Sequence, residues 1–196
     1  DQPELAWSPM QDLYDEVSRI VGVQVTREVV SGVNNDIIVR GVEKLGLEGG
    51  LAPRSTPGCV GCGVCYFGCP SRGKASTDLT FLPRAVQSGA RIQAEVQVTE
   101  VIIENDRAVG IRGVAIHPDT GARGGELTVR AKQVVVSAGA VGTPRLLWSS
   151  GLAERLGPHC GEHLQVHPGS TIIARCDFKV EMWKGATQGA YFHHPD

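Results

Sequence analysis

The sequence has no long apolar run, no excess of charge of one sign and no dinucleotide-binding glycine loop, and each absence excludes something. No run approaches the roughly 20 apolar residues of a membrane-spanning helix. A net charge of −2 over 196 residues gives no electrostatic reason to expect nucleic acid or an anionic membrane as partner. Neither G-x-G-x-x-G nor the acidic residue about 20 positions beyond it is present, so the usual pyrophosphate and ribose contacts are missing.

What is present describes a globular chain. Hydrophobic residues make up 41% and charged residues 20%, which is typical of folded and not of disordered sequences. The length suits one domain or one and a half. The first residue is Asp1 and no basic-then-apolar leader follows, so we expect an internal piece of a longer protein.

The residue pattern changes near residue 90. Before it, apolar residues at helical spacing predict helices over 9–22, 34–46 and 78–88, and the Gly/Pro-rich stretch 49–73 is expected to be irregular. After it, strands are predicted over 91–96, 98–104, 108–116 and 125–131, the last three as an antiparallel meander. The regions expected are 1–90 (helical and cysteine-rich), 91–168 (sheet with meander) and 169–196 (the start of a further strand).

Residues 134–152, VVVSAGAVGTPRLLWSSGL, carry the most information. The run Val134–Val136 predicts a strand buried on both faces of a parallel sheet. The small residues after it would let a flat ligand approach the backbone. Thr143 is expected to cap a helix with Pro144 in its first turn, and Ser150-Gly151 to end it. A plain strand-to-helix connection in any α/β domain is the alternative.

The motif from Gly139 to Leu152 resembles the second signature of the glucose-methanol-choline (GMC) oxidoreductases. It reads Gly-Ala-x-x-Thr-Pro-x-Leu-Leu-x-x-Ser-Gly-Leu. These are flavoenzymes that oxidise alcohols with FAD. The segment 161–168, GEHLQVHP, resembles their Gly-x-Asn-Leu-x-Asp-His-Pro, with His163 in place of asparagine and Val166 in place of aspartate. Phe67-Gly68-Cys69-Pro70 with Gly73-Lys74-Ala75-Ser76 is similar to the long-chain alcohol oxidase-like members.

The resemblance implies a fold, a cofactor and a site. The fold class is α/β: part of an FAD-binding Rossmann-like domain with an inserted antiparallel meander, plus the helical and cysteine-rich region. Val98 falls at the valine whose backbone contacts adenine, and Ser137, Ala138 and Gly139 fall where the sheet edge approaches adenosine. The implied substrate is a small alcohol or sugar. The catalytic histidine of the family is expected outside this chain.

Four of the six cysteines, Cys59, Cys62, Cys65 and Cys69, follow the spacing C-x2-C-x2-C-x3-C-P that ligates iron–sulfur clusters in bacterial ferredoxins. In two-cluster ferredoxins the fourth cysteine serves the other cluster, and this chain has a single run. Free thiols or a disulfide, and then zinc, are the alternatives. A cluster would add an electron exit toward an acceptor. An iron–sulfur electron-transfer or metal-binding protein without its own catalysis is the second functional hypothesis.

His159, Cys160, His163 and His167 also have a spacing that resembles metal-ligand motifs. Pro158, Gly161 and Pro168 break any helix that would align them, so the sequence predicts no metal site there.

Overall fold

The computed structural model describes residues 7–194 as two compact units. The first unit comprises the chain up to Ala90 together with the segment that starts at Ile173, and the second comprises Arg91–Ile172. No helix within the described residues is long and apolar enough to cross a membrane.

Among its described residues, the first unit contains four α-helices: α1 (Trp7–Ile20), α2 (Glu28–Ser31), α3 (Val33–Leu45) and α4 (Phe81–Gln87). The helices predicted over 9–22, 34–46 and 78–88 are confirmed to within three residues at each end. α3 ends because Gly46 adopts a left-handed conformation with φ 64°, which a residue with a side chain adopts only at a cost.

Two small antiparallel sheets complete this unit. β1 (Gln24–Val25) pairs with β3 (Pro53–Arg54), and β2 (Glu48–Leu51) pairs with β7 (Ala190–His193). The second pairing joins residues 139 to 145 positions apart, with Glu48 opposite His193 and Leu51 opposite Ala190. Residues 190–193 are therefore part of the first unit.

A buried asparagine fixes this long-range contact. Asn35, on α3, is 2% exposed. Its amide nitrogen donates to the carbonyl oxygens of Ser31 (2.6 Å) and Ala186 (2.7 Å), and its oxygen accepts the N–H of Gly189 (3.1 Å). This one side chain provides hydrogen-bond partners for three backbone groups. Because buried backbone groups without partners are costly, these hydrogen bonds stabilise the contact.

The second unit contains the predicted meander. β4 (Val96–Glu104), β5 (Arg107–Ile116) and β6 (Arg123–Arg130) form an antiparallel sheet in that order. Asn105 and Asp106 both have positive φ angles (47° and 68°), as a two-residue hairpin of the right twist requires. These strands agree with the meander predicted over 98–104, 108–116 and 125–131.

One edge of this sheet, β4, is covered by helix α5 (Gly139–Ser149), which is followed by the short helix α6 (Ala153–Leu156). The Ser149 hydroxyl donates to the carbonyl oxygen of Thr99 at 2.9 Å, and the Ser150 hydroxyl accepts the N–H of Val101 at 2.9 Å. Two side chains thus satisfy backbone groups that an edge strand leaves open.

Two strand predictions in this unit are not met by the described residues. Residues 91–95 form no strand, and β4 begins at Val96. Residues 134–136 are extended, but no described segment pairs with them, and Val135 is 86% exposed. A strand is defined by its hydrogen-bonded neighbour, so an apolar run without a neighbour is not one.

The start of α5 also differs from the expectation. The helix begins at Gly139, so Pro144 lies inside it and not in its first turn. Thr143 does accept a backbone N–H, that of Ala138 at 3.1 Å, but it does so from within the helix. The predicted end is confirmed, because Ser150 is the C-cap and Gly151 has φ 66°.

Candidate functional site

A cleft of about 400 Å³ lies in the second unit, against the meander. One wall consists of strand residues, among them Val98 and Ile111, and the other is the extended segment 133–138 with Leu146 of α5. The side chains are almost all apolar and several are very small. Such a space suits a flat apolar ring that makes its polar contacts with the backbone.

A second cleft of about 460 Å³ shares Val98, Ala138 and Leu146 with the first. Its lining also includes Arg123 and Arg145. The guanidinium group is a good partner for phosphate or carboxylate groups. The first cleft therefore suits a flat ring, and the adjoining second cleft suits an anionic group.

Of the four residues predicted to contact the cofactor, Val98, Ser137 and Ala138 line the first cleft. Gly139 is the next residue along the chain but lines neither cleft. Its φ of 79° is left-handed, and a Cβ added there would meet no atom within 4 Å. Its glycine character is thus explained by the backbone turn into α5 and not by crowding.

In the first unit, the four cysteines of the C-x2-C-x2-C-x3-C run all border one enclosed space, whose volume is only about 10 Å³. The Sγ atom of Cys59 accepts the N–H of Gly61 at 3.4 Å, and that of Cys69 accepts the N–H of Lys74 at 3.3 Å. Backbone N–H groups directed at sulfur stabilise thiolates.

Two of these thiols have a lowered pKa. Burial by itself raises the pKa of Cys65, but hydrogen bonds from Thr187 and Arg54 outweigh it, so the pKa lies below its usual value. The Ser71 hydroxyl and then the Lys74 N–H lower the pKa of Cys69. A larger fraction of both sulfurs is therefore ionised at neutral pH, as ligation or nucleophilic chemistry requires.

The positions of the cysteines can be compared with those that a disulfide or a zinc site would require. All six cysteines are free thiols, so no disulfide is formed. Zinc bound by thiolates at about 2.3 Å would bring the sulfurs to about 3.8 Å from one another. Among the described residues, no three of these thiols belong to a set of ligand atoms within 4.8 Å of each other. The four cysteines thus border one space, but their sulfurs do not form a zinc tetrahedron.

A polar pocket of about 320 Å³ adjoins Cys65 and was not anticipated from the sequence. Arg54, Lys74, Thr187 and Gln188 line it. Nη1 of Arg54 is buried and has no hydrogen-bond partner, while Nη2 lies 3.9 Å from the Cys65 sulfur. The sequence feature nearest to it is the run 185–188, GATQ, which resembles the start of a substrate-side strand of the GMC enzymes.

Comparison with known proteins gives the class of this chain. The family model of GMC oxidoreductases matches residues 2–169. This span contains the meander, the cleft and the four-cysteine run. The chain belongs to the GMC oxidoreductase family.

The chain is similar to several proteins of bacteria and of a plant. An uncharacterized GMC-type oxidoreductase of Mycobacterium tuberculosis is 36% identical over 179 residues, which cover 91% of this chain and 27% of the relative. A long-chain-alcohol oxidase of Arabidopsis thaliana is 34% identical over 197 residues, which cover 95% of this chain and 26% of the relative. A C-glycoside 3-oxidase of Microbacterium trichothecenolyticum is 41% identical over 73 residues, which cover 37% of this chain and 13% of the relative.

The chain spans about a quarter of the length of the first two relatives. No solved structure matches it.

Proposed function

We propose that this chain is part of an FAD-dependent oxidoreductase that converts an alcohol to an aldehyde or ketone. The observation that carries the proposal is the GMC family match over residues 2–169, together with a cleft at the residues that the family signature points to. FAD supplies the acceptor for the hydride that leaves the alcohol carbon. The chain's own share is to bind the adenosine end of the cofactor.

The residues present fit such a ligand. The cleft volume of about 400 Å³ lies within the range of small-molecule sites, roughly 300–1,000 Å³. Val98 and Ala138 would enclose the adenine ring, and the small side chain of Ser137 leaves the backbone accessible. Arg123 and Arg145, in the adjoining cleft, would attract the anionic part of the cofactor.

The exposed segment 133–138 supports a larger sheet in the intact enzyme. Val135 is 86% exposed although the run Val134–Val136 is strongly apolar. Such a run is typical of a central strand of a parallel sheet. We therefore propose that 91–168 contributes to a Rossmann-like FAD domain, and that 169–196 begins a substrate-domain strand.

The substrate class rests on relatives. Several of them, including the Arabidopsis enzyme that covers 95% of this chain, are named long-chain-alcohol oxidases. We therefore propose a long-chain primary alcohol. The shorter match to a C-glycoside 3-oxidase makes a sugar the alternative.

Anaerobic mixing of the flavin-loaded intact enzyme with 1-dodecanol or with a glucoside distinguishes these substrates. We expect the alcohol to bleach the oxidised flavin band and the glucoside to leave it unchanged. Bleaching by the glucoside alone would reassign the substrate, and bleaching by neither would contradict the proposed function.

For the four-cysteine loop we propose an iron–sulfur cluster that relays electrons to an acceptor. Its support is the donor set: Cys59, Cys62, Cys65 and Cys69 border one space, and the pKa of two of the thiols is lowered. A four-iron cube does not fit the space of about 10 Å³, so ligation requires the loop to open.

Iron and acid-labile sulfide analysis of anaerobically prepared protein tests this part. We expect both elements in the unmodified protein and in Cys176→Ser, and neither in Cys65→Ser. Their absence from the unmodified protein would make the run a structural thiol loop.

A further inference from the structure

Three metal-ligating side chains meet on one surface turn of the second unit. His159, Glu162 and His163 are all exposed, and their ligand atoms lie within 4.8 Å of one another. Nδ1 of His159 is 3.1 Å from Nε2 of His163 and 3.6 Å from Oε2 of Glu162. The sequence argument required a helix to bring such residues together, but a turn does so here.

The two separations from His159 Nδ1 are close to those of ligands that share one ion. Zinc lies about 2.0–2.1 Å from imidazole nitrogen and about 2.0–2.2 Å from carboxylate oxygen, so tetrahedral neighbours are about 3.3–3.5 Å apart. The two distances on this turn, 3.1 Å and 3.6 Å, bracket that value. We propose that His159, Glu162 and His163 form a binding site for a first-row divalent cation such as Zn²⁺, with water in the remaining position.

The backbone holds the turn in the shape that the site requires. The N–H of Glu162 donates to the carbonyl oxygen of His159 at 3.2 Å. The indole Nε1–H of Trp148, on α5, donates to the carbonyl oxygen of Cys160 at 2.9 Å. Gly161 has φ 86°, which allows the chain to reverse between the ligands. The ligands therefore lie on a segment that is anchored to a helix, and little ordering is required when the ion binds.

The set of donors also selects the kind of ion. Two imidazoles and one carboxylate suit Zn²⁺, Co²⁺, Ni²⁺ or Cu²⁺, whereas Mg²⁺ and Ca²⁺ prefer all-oxygen ligands. Without an ion, the same arrangement is a ring N–H···N hydrogen bond between two histidines with an adjacent carboxylate. A metal titration distinguishes a cation site from a histidine pair that is only hydrogen-bonded.

Cobalt is the probe of choice because the chain also contains the four-cysteine loop. Co²⁺ bound by thiolates gives an intense charge-transfer band in the near ultraviolet, while His/Glu ligation gives only weak visible bands. The chain is freed of metal with a chelator and titrated with Co²⁺, and Zn²⁺ is then used to displace the bound cobalt. Variants His163→Asn and Glu162→Gln remove one ligand each, and His167→Asn is the matched control outside the cluster.

We expect one equivalent of Co²⁺ with visible bands that saturate independently of the thiolate band and are abolished by Zn²⁺. His163→Asn and Glu162→Gln should each weaken this binding by about tenfold or more, and His167→Asn should change it by less than about twofold. His163→Asn also introduces the asparagine of the GMC motif, so we expect an unchanged circular dichroism spectrum. If the unmodified chain and His163→Asn bind cobalt equally, or if only the thiolate band appears, the site does not exist.

Discussion

The hydroxyl of Ser150 links helix α5 to the edge strand β4. It accepts the N–H of Val101 at 2.9 Å and donates to the carbonyl oxygen of Leu146 at 2.7 Å. Val101 is 4% exposed, so water does not replace this acceptor. The serine of the GMC signature thus has a structural role on the sheet edge that carries Val98.

Replacing Ser150 by alanine should therefore destabilise the second unit. The buried N–H of Val101 loses its acceptor, which costs about 1–3 kcal/mol in the free energy of unfolding. Ser149→Ala is the matched control, since Ser149 is exposed and water can replace its bond to Thr99. Hydrogen exchange of the Val101 amide should accelerate in Ser150→Ala and stay unchanged in Ser149→Ala. Equal protection in both variants would contradict this role.

Asn35 and its neighbour Asn34 allow a second comparison between a test substitution and a matched control. Asn35→Ala leaves the carbonyl oxygen of Ala186 and the N–H of Gly189 without their side-chain partner. We expect a loss of about 2–4 kcal/mol in urea unfolding, because these groups are buried. The Oδ1 atom of Asn34 is buried without a hydrogen-bond partner, so Asn34→Ala should be close to neutral. A larger loss in Asn34→Ala than in Asn35→Ala would be inconsistent with this hydrogen-bond network.

Thiol reactivity in the iron-free chain should follow the lowered pKa values. Thr187→Val removes a hydrogen bond that stabilises the Cys65 thiolate, so the pKa rises and alkylation of Cys65 at pH 7 slows. Ser71→Ala should slow Cys69 in the same way and leave Cys65 unchanged. Raising the pH above the thiol pKa should remove each difference, because both proteins are then fully ionised. Mass-spectrometric rates that fail to separate the two variants would refute the assignment.

The chain by itself should neither retain FAD nor oxidise alcohols. It contains no G-x-G-x-x-G loop whose N–H groups would hold the pyrophosphate, and no segment like that of the family's catalytic histidine. We expect flavin to separate from the chain on gel filtration and no turnover with 1-dodecanol. Flavin absorbance that co-elutes with the chain, together with turnover of any alcohol, would overturn this expectation.

The sequence predicted the elements whose signals are local. The strand ranges 98–104, 108–116 and 125–131 predicted the meander, and apolar residues at helical spacing predicted α1, α3 and α4. The run Val134–Val136 pairs with no described segment, because a strand depends on a neighbour that its own residues do not specify. The contacts of Ser150 with Val101 and of Thr187 with Cys65 also join distant positions, so spacing alone could not reveal them. The His159–Glu162–His163 set was missed because a turn, and not a helix, brings it together.

The most direct test of the central claim is the flavin content of the intact enzyme with a blocked cleft. Ala138→Phe places a ring in the space that both clefts share, whereas Val141→Phe adds the same ring at an exposed position of α5 outside them. The ratio of flavin to protein, measured by absorbance after gel filtration, should fall at least about tenfold in Ala138→Phe and stay near one in Val141→Phe. A full complement of FAD in Ala138→Phe would show that adenosine binds elsewhere.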